Sequence, residues 1–290
     1  MWASVLVWLL VAVVVMALTG VLPPKVFTDY DAPLNLFLYQ EPRTEYSDQH
    51  VNLWVPKGWR ADGGRIPCRW ERKDASGAVN ESSWLVIYSH GNNENLLYVT
   101  QFLQNVSREL VVDAVAWDYS GYGLNPADKF ERSPAGVNLS LRTVWNFMVH
   151  EAGYAPDHII LWGYSLGSGP TVHLARALCQ ENVSPAGVVL FGAYSSILRV
   201  VSDVTHPRVA AWFQERWNNK DAVADVSCPL LIMHGQQDGL IRLHHAETLK
   251  QANPQAKLVV FPNTGHTTFP PDDAVKEVVD WMEQLSIKMT

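Results

Sequence analysis

The sequence predicts an α/β protein with a mostly parallel, doubly wound sheet, and three observations lead to this prediction. Short, continuous apolar segments recur along most of the chain. Segments whose apolar residues have helical spacing stand between them, and strands that alternate with helices are typical of a parallel sheet. The length of 290 residues and the 48% of hydrophobic residues suit one large domain with its own core.

Composition and charge argue against several classes of function. The net charge of −7 disfavours nucleic-acid binding and purely electrostatic docking on anionic lipid. The three cysteines lack the spacing of a metal site and permit at most one internal disulfide. Gly163, Gly167 and Gly169 match a phosphate-binding loop only in part, because the Lys-Ser/Thr pair of such a loop is absent. We therefore expect neither a metal nor a cofactor.

The start of the chain is strongly apolar, because residues 2–22 carry no charge and are dominated by Val, Leu and Ala. As a helix this segment would be about 31 Å long, against a hydrocarbon core of about 30 Å, and Pro23 and Pro24 would end it. We predict a transmembrane anchor over residues 2–22 and a linker over residues 23–50. A cleaved signal peptide, which would have a basic start, and a buried core helix, which is rarely apolar on every face, are the alternatives.

Two conflicting signals leave the membrane orientation open. Lys25 follows the predicted anchor and no Lys or Arg precedes it, which favours a cytoplasmic domain. Four Asn-x-Ser sequons favour a lumenal domain, although two of them fall in predicted helices. The sequon asparagines are Asn80, Asn105, Asn138 and Asn182. The expected location is an endomembrane that the chain crosses once.

The predicted globular domain covers residues 51–290 and begins with a hairpin. Residues 50–56 alternate like a half-exposed strand and residues 66–71 give another, which is typical of antiparallel strands at a sheet edge. The parallel strands that follow are predicted at residues 84–88, 112–117, 159–162, 187–191, 229–233 and 257–261.

The helices and one insertion complete the predicted domain. Ser133 and Pro134 have the residue types that open a helix, and residues 272–288 have one apolar face and form the last helix. Residues 197–227 have an irregular pattern and stand between two predicted parallel strands, as an insertion over the carboxyl ends of the strands. We expect this segment to be a short lid that leaves the site fairly open.

A serine between two glycines, in Gly163-Tyr164-Ser165-Leu166-Gly167, links a predicted strand to a predicted helix. Such a turn is sharp and strained, and the close backbone leaves room only for glycine on either side of the serine. The Ser165 hydroxyl would be presented at the carboxyl end of the sheet, beside the positive end of a helix. The arrangement predicts a nucleophile.

A serine hydroxyl needs a general base, and that base needs an anion to orient it. Asp238 follows the strand at residues 229–233, and His266 follows the strand at residues 257–261, so both stand at strand carboxyl ends. We predict a catalytic triad of Ser165, Asp238 and His266. Alone, Asp238 would be an ordinary turn aspartate and His266 a surface histidine, but the order Ser, acid, His along the chain favours the triad.

An oxyanion hole needs two backbone N–H groups. We assign one to Leu166, which follows the nucleophile, and the other to Asn92, in the loop His90-Gly91-Asn92 after a strand. A plain tight turn is the alternative for this loop. His234 and the pair His244-His245 lack zinc-site spacing and an accompanying acid, so we expect them to be packed or solvent-facing.

Taken together, these motifs resemble those of the α/β-hydrolase-fold serine hydrolases, over about residues 51–285. Within that group the chain is similar to the membrane-anchored alpha/beta-hydrolase-domain proteins, which include monoacylglycerol and lysophospholipid lipases and protein depalmitoylases. The motifs are Ser89-His90-Gly91-Asn92, Asp118-Tyr119-Ser120-Gly121-Tyr122-Gly123, Gly163-Tyr164-Ser165-Leu166-Gly167, His234-Gly235-Gln236-Gln237-Asp238 and Gly265-His266. The chain lacks the cysteine-rich N-terminus usual in such depalmitoylases and the His-x₄-Asp acyltransferase motif of some relatives. The resemblance therefore implies the fold and the triad but not the substrate.

The leading hypothesis is a serine hydrolase that cleaves a carboxylic ester or thioester of a long acyl chain through an acyl-enzyme on Ser165. The predicted anchor and the small lid favour a lipid or an acylated protein as substrate. A peptidase or small-ester hydrolase with the same triad is one alternative, and a non-catalytic scaffold with this fold is another. The expected partners are the acyl substrate and a membrane, while acyl length, head group and oligomeric state stay open.

Overall fold

The computed structural model describes residues 38–39, 42, 46–73, 78–80, 82–126, 132–211, 213–268 and 270–285. The predicted anchor at residues 2–22 and most of the predicted linker lie outside the described residues. Within the described ranges, no helix combines the length and the apolar character that a membrane span requires.

The described residues form one eight-stranded sheet with helices on both of its faces. The strands are β1 (Leu53–Pro56), β2 (Arg65–Glu71), β3 (Leu85–Ser89), β4 (Asp113–Trp117), β5 (Ile159–Tyr164), β6 (Gly187–Phe191), β7 (Leu230–Gly235) and β8 (Lys257–Phe261). The helices are α1 (Leu96–Leu110), α2 (Pro134–Asn146), α3 (Ser168–Gln180), α4 (Ile197–Val204), α5 (Pro207–Ala210), α6 (Asn219–Ala224), α7 (His244–Ala252) and α8 (Pro271–Gln284).

The strand order is β1-β2-β4-β3-β5-β6-β7-β8. Strands β3 to β8 are parallel, and β1 and β2 are antiparallel at one edge, as the sequence predicted. The chain passes from β3 to β4 in one direction and then returns to β5 on the other side of β3. In α/β sheets the crevice at such a reversal binds ligands at the strand carboxyl ends. Here β3 and β5 lie side by side at the reversal, and the last residues that they pair are Ser89 and Gly163.

Two apolar layers cover the sheet, which is why the central strands are buried along their whole length. Helices α1 and α8 contribute to the layer on one face, and α2 to α7 contribute to the layer on the other. Helix α1 illustrates how the sequence sets such an element. Asn95 caps it by accepting the Leu97 N–H, and the chain leaves it at Val111 with φ of 55°. Its buried apolar face comprises Leu96, Val99, Leu103, Val106 and Leu110.

The segment at residues 197–227 differs from the prediction of an irregular lid, because it contains the three short helices α4, α5 and α6. The Ser196 side chain caps α4 and the Asn218 side chain caps α6. Helix α6 packs against α3, and the fully buried Trp217 packs on Gly169. The sequence pattern missed these helices because helices of one or two turns are too short to show a helical period. The role of the segment as a lid stays a prediction.

Candidate active site

Ser165 lies in the turn between β5 and α3 and has φ of 49°, a left-handed conformation that is strained for a residue with a side chain. The turn is possible because two glycines flank it. A Cβ on Gly163 would lie 2.6 Å from the carbonyl oxygen of Gly167. A Cβ on Gly167 would overlap the carbonyl groups of Ser89 and His90, so the turn packs directly on the loop after β3. The sequence prediction of a strained serine turn is thus matched by the geometry.

Three side chains from three different loops meet at this turn. The Ser165 Oγ lies 2.8 Å from His266 Nε2, and His266 Nδ1 lies 2.7 Å from Asp238 Oδ2. A carboxylate only accepts, so His266 carries its proton on Nδ1 and its Nε2 accepts from Ser165. Ser165 is 7% exposed and the His266 side chain 12%, which places the site just below the surface.

The loop after β7 holds the Asp238 carboxylate in place. Its Oδ1 accepts the N–H groups of Leu240 at 3.0 Å and Ile241 at 2.8 Å, so Oδ2 is left for His266. The buried His234 lies under this loop, with its Nε2 2.7 Å from the Ile241 carbonyl oxygen. Burial lowers the pKa of His234, which keeps the ring neutral, so its Nε2–H donates to that carbonyl. His234 is therefore a packed residue, as expected from the sequence.

Tyr164 contacts His266, the predicted base, although no role for Tyr164 was predicted from the sequence. Its hydroxyl donates to the His266 carbonyl oxygen at 2.6 Å, and the two rings stack with centroids 5.8 Å apart. Burial raises the pKa of Tyr164 well above its usual value, so the hydroxyl stays protonated and keeps donating. The only sequence signal was its place inside the glycine-flanked motif.

The side chains of His90, Tyr122 and Glu94 make hydrogen bonds that hold the loop after β3. Burial lowers the pKa of His90 to about 4, so its ring is neutral, and Nδ1–H donates to the Gly91 carbonyl at 2.8 Å. The Tyr122 hydroxyl donates to Asn92 Oδ1 at 2.7 Å. The Gly91 N–H donates to Glu94 Oε2 at 2.7 Å. Sequence reasoning missed Glu94, for which the only signal was an acid three residues after the glycine.

Of the two predicted oxyanion donors, Leu166 lies in the turn with Ser165 and Asn92 lies in the adjacent loop after β3. Leu166 is buried, with 4% exposure. The contact of Gly167 with the backbone of the β3 loop brings the two predicted donors to the same crevice. Their role as oxyanion donors stays a prediction.

One cluster in the described part of the chain has the residue types of a metal site. The Asp203 Oδ2 lies 2.5 Å from His244 Nε2 and 3.2 Å from His245 Nε2. The sequence expectation that these histidines lack an accompanying acid was therefore wrong, because Asp203 comes from α4. The hydrogen bonding does not suit a metal. The Ser195 N–H donates to His245 Nδ1 at 3.1 Å, so a neutral His245 holds its proton on Nε2, where a metal would have to bind.

Comparisons with known proteins agree with this architecture. A family model described as alpha/beta hydrolase fold matches residues 191–273. The chain is 27% identical over 227 residues to alpha/beta hydrolase domain-containing protein 17C of Xenopus tropicalis, covering 78% of this chain and 68% of that protein. It is 28% identical over 224 residues to the Homo sapiens protein of the same name, covering 77% and 63%. The Pyrococcus furiosus esterase Pf2001 has a similar fold, with a TM-score of 0.60, 13% identity, and coverage of 85% and 98%.

Proposed function

Because the chain has the alpha/beta hydrolase fold and resembles the alpha/beta hydrolase domain-containing proteins, we propose that it is a serine hydrolase of carboxylic esters or thioesters. One observation carries the proposal. The Ser165 hydroxyl, the His266 ring and the Asp238 carboxylate form a continuous hydrogen-bonded chain, with distances of 2.8 and 2.7 Å. Such a chain converts a hydroxyl, which is a weak nucleophile at neutral pH, into one that can attack an acyl carbon.

The first half of the reaction forms an acyl-enzyme. The Ser165 Oγ bonds to the acyl carbon while His266 Nε2 takes the hydroxyl proton, and the carbonyl electron pair moves to oxygen. The N–H groups of Leu166 and Asn92 are the proposed donors to that oxyanion. When the intermediate collapses, the bond to the leaving oxygen or sulfur breaks. The leaving group takes the proton from His266, and the acyl group stays on Ser165.

The second half releases the acid. A water molecule loses a proton to His266 Nε2 and attacks the acyl carbon. The bond to Ser165 Oγ then breaks, and Oγ regains the proton from His266. Asp238 stays ionised throughout, because its role is to hold the Nδ1 proton and to stabilise the imidazolium that forms in both halves.

We further propose that the substrate is a long-chain acyl lipid or an acylated protein at an endomembrane. The support is the uncharged segment at residues 2–22, which in the sequence suits a membrane anchor. A tethered enzyme meets membrane-bound substrate at high effective concentration. The segment at residues 197–227 is short, so little chain is available to close over a bulky substrate.

The proposal is tested with a fluorophosphonate probe, which reacts with activated serines, and with a substrate panel. The wild-type protein should be labelled, Ser165→Ala should not, and Ser184→Ala, which changes an exposed serine after α3, should be labelled like the wild type. Matched oxygen esters and thioesters of short and long acyl chains then define the substrate. A wild-type protein that is neither labelled nor active on the panel would show a non-catalytic scaffold instead.

A further inference from the structure

The peptide group between Gly91 and Asn92 is oriented by its neighbours. Its carbonyl oxygen accepts the His90 Nδ1–H at 2.8 Å. A trans peptide directs its N–H opposite to its C=O, and the described residues contain no cis peptide bond. The Asn92 N–H therefore points away from the His90 ring.

Glu94 fixes the peptide group that precedes this one. Its Oε2 accepts the Gly91 N–H at 2.7 Å. Gly91 is tightly surrounded: a Cβ added to it would lie 3.0 Å from Glu94 Oε2 and 2.9 Å from the Tyr164 ring. With both flanking peptide groups held, the backbone at Gly91 has little freedom to rotate, and the Asn92 N–H keeps one direction.

We propose that Glu94 is a positioning residue for this hydrolase, which fixes the loop that carries the Asn92 N–H. The inference rests on the proposed function, since it concerns the reaction of Ser165. The effect is larger in the transition state than in the ground state, because the oxyanion that the Asn92 N–H would receive forms only as Ser165 attacks the acyl carbon.

Two substitutions test the hydrogen bond to the Gly91 N–H. Glu94→Ala removes it, and we expect kcat on a soluble short-chain ester to fall about 10- to 100-fold with little change in KM. Glu94→Gln keeps an oxygen that accepts the Gly91 N–H, so kcat should recover to within about fivefold of wild type.

The matched control is Glu109→Gln, the same change in charge near the far end of α1, where the side chain is 51% exposed and paired with Arg108. It should leave kcat at the wild-type value. Thermal unfolding of each variant is measured alongside. If Glu94→Ala does not fold, Glu94→Asp, whose carboxylate is one methylene shorter and is drawn back from the Gly91 N–H, tests the role instead and should lower kcat with little change in KM.

The outcomes are distinct. A Glu94→Ala variant that is folded and within twofold of wild type would overturn the positioning role, as would a Glu94→Gln variant as slow as Glu94→Ala. A wild-type protein without esterase activity, or a Ser165→Ala variant that keeps it, would instead contradict the proposed function, on which the inference depends.

Discussion

At the scale of single residues, the proposed chemistry depends on a serine held in a conformation that costs energy. Ser165 has φ of 49°, and its Oγ reaches His266 Nε2 at 2.8 Å because of that turn. Strain of this kind costs roughly 1–3 kcal/mol and persists where the surroundings enforce it. Here the enforcing groups are the backbone atoms around Gly163 and Gly167. The strain therefore serves to place the proposed nucleophile.

If Ser165 and His266 act as one unit, removing either should remove most of the activity. We expect Ser165→Ala and His266→Ala each to lower kcat by about 10⁴- to 10⁶-fold, and the double variant to lose little more. The measurement is the hydrolysis rate of a soluble ester at saturating concentration. A loss of only tenfold in either single variant would rule out the triad.

The sequence was sufficient to find the three residues that meet, but not the residues that hold them. Ser165, Asp238 and His266 each follow a strand, and parallel strands end at one edge of a sheet, so their meeting could be anticipated. Tyr164 and Glu94 act on backbone groups, of His266 and Gly91 respectively. A contact between a side chain and a backbone group leaves no spacing pattern in the sequence, whether the two residues lie 102 positions apart, as Tyr164 and His266 do, or three, as Glu94 and Gly91 do.

At the scale of elements, the turn between β5 and α3 and the loop after β3 form one packed unit. The missing side chain of Gly167 is what lets the two approach, since a Cβ there would overlap the carbonyl groups of Ser89 and His90. Both are backbone groups of a loop with several hydrogen bonds, so neither can move aside cheaply.

We therefore expect Gly167→Ala to destabilise the fold by about 2–4 kcal/mol and to lower esterase activity at least tenfold in the protein that remains folded. Urea unfolding and soluble-ester hydrolysis measure the two effects. The control is Gly58→Ala, in the hairpin before β2, where nothing lies within 4 Å of the added Cβ. Equal unfolding midpoints for the two variants would contradict the packing argument.

Elements with many residues were predictable, and short ones were not. The buried parallel strands stand out as continuous apolar segments, and α8 was predicted at residues 272–288 against an observed Pro271–Gln284. Helices α4 to α6 are fixed by caps such as Ser196 and Asn218 and by packing on α3. A cap occupies a single sequence position, and packing is a tertiary interaction. A periodicity analysis therefore detects neither.

At the scale of the whole molecule, buried histidines link stability to pH. Burial is the largest effect on the pKa of three histidines, His90, His173 and His245, and it lowers each pKa to about 4. An exposed histidine in the unfolded chain has a pKa of about 6.5. Between those values the unfolded state binds more protons than the folded state. The free energy of unfolding must therefore fall as the pH falls through that window.

Each of the three histidines contributes a slope of up to about 1.4 kcal/mol per pH unit. We expect the free energy of unfolding to be lower at pH 5 than at pH 7 by about 3 kcal/mol or more. Urea unfolding at constant ionic strength, followed at several pH values, provides the measurement. In His90→Asn, the number of protons taken up on unfolding within this window should be lower by about one, and the slope should fall accordingly. A free energy of unfolding that is unchanged or higher at pH 5 would show that these histidines are not held neutral.

The last prediction concerns the predicted anchor, which lies outside the described residues. Residues 2–22 precede β1 and contribute none of the residues that meet at Ser165. A chain that begins near Pro23 should therefore fold and hydrolyse a soluble short-chain ester about as fast as the full chain.

On long-chain substrate presented in vesicles, the shortened chain should be slower by at least about 100-fold, because tethering raises the effective concentration of a membrane-bound substrate by factors of this order. A carbonate wash of membranes that contain the full-length protein must accompany the comparison, since a cleaved signal peptide would leave the mature chain free to wash off. Retention after the wash and a loss confined to vesicle substrate would together support an anchor that supplies location and not chemistry. If the full chain washes off, or the shortened chain hydrolyses vesicle substrate equally well, the apolar segment does not bring this hydrolase to its substrate.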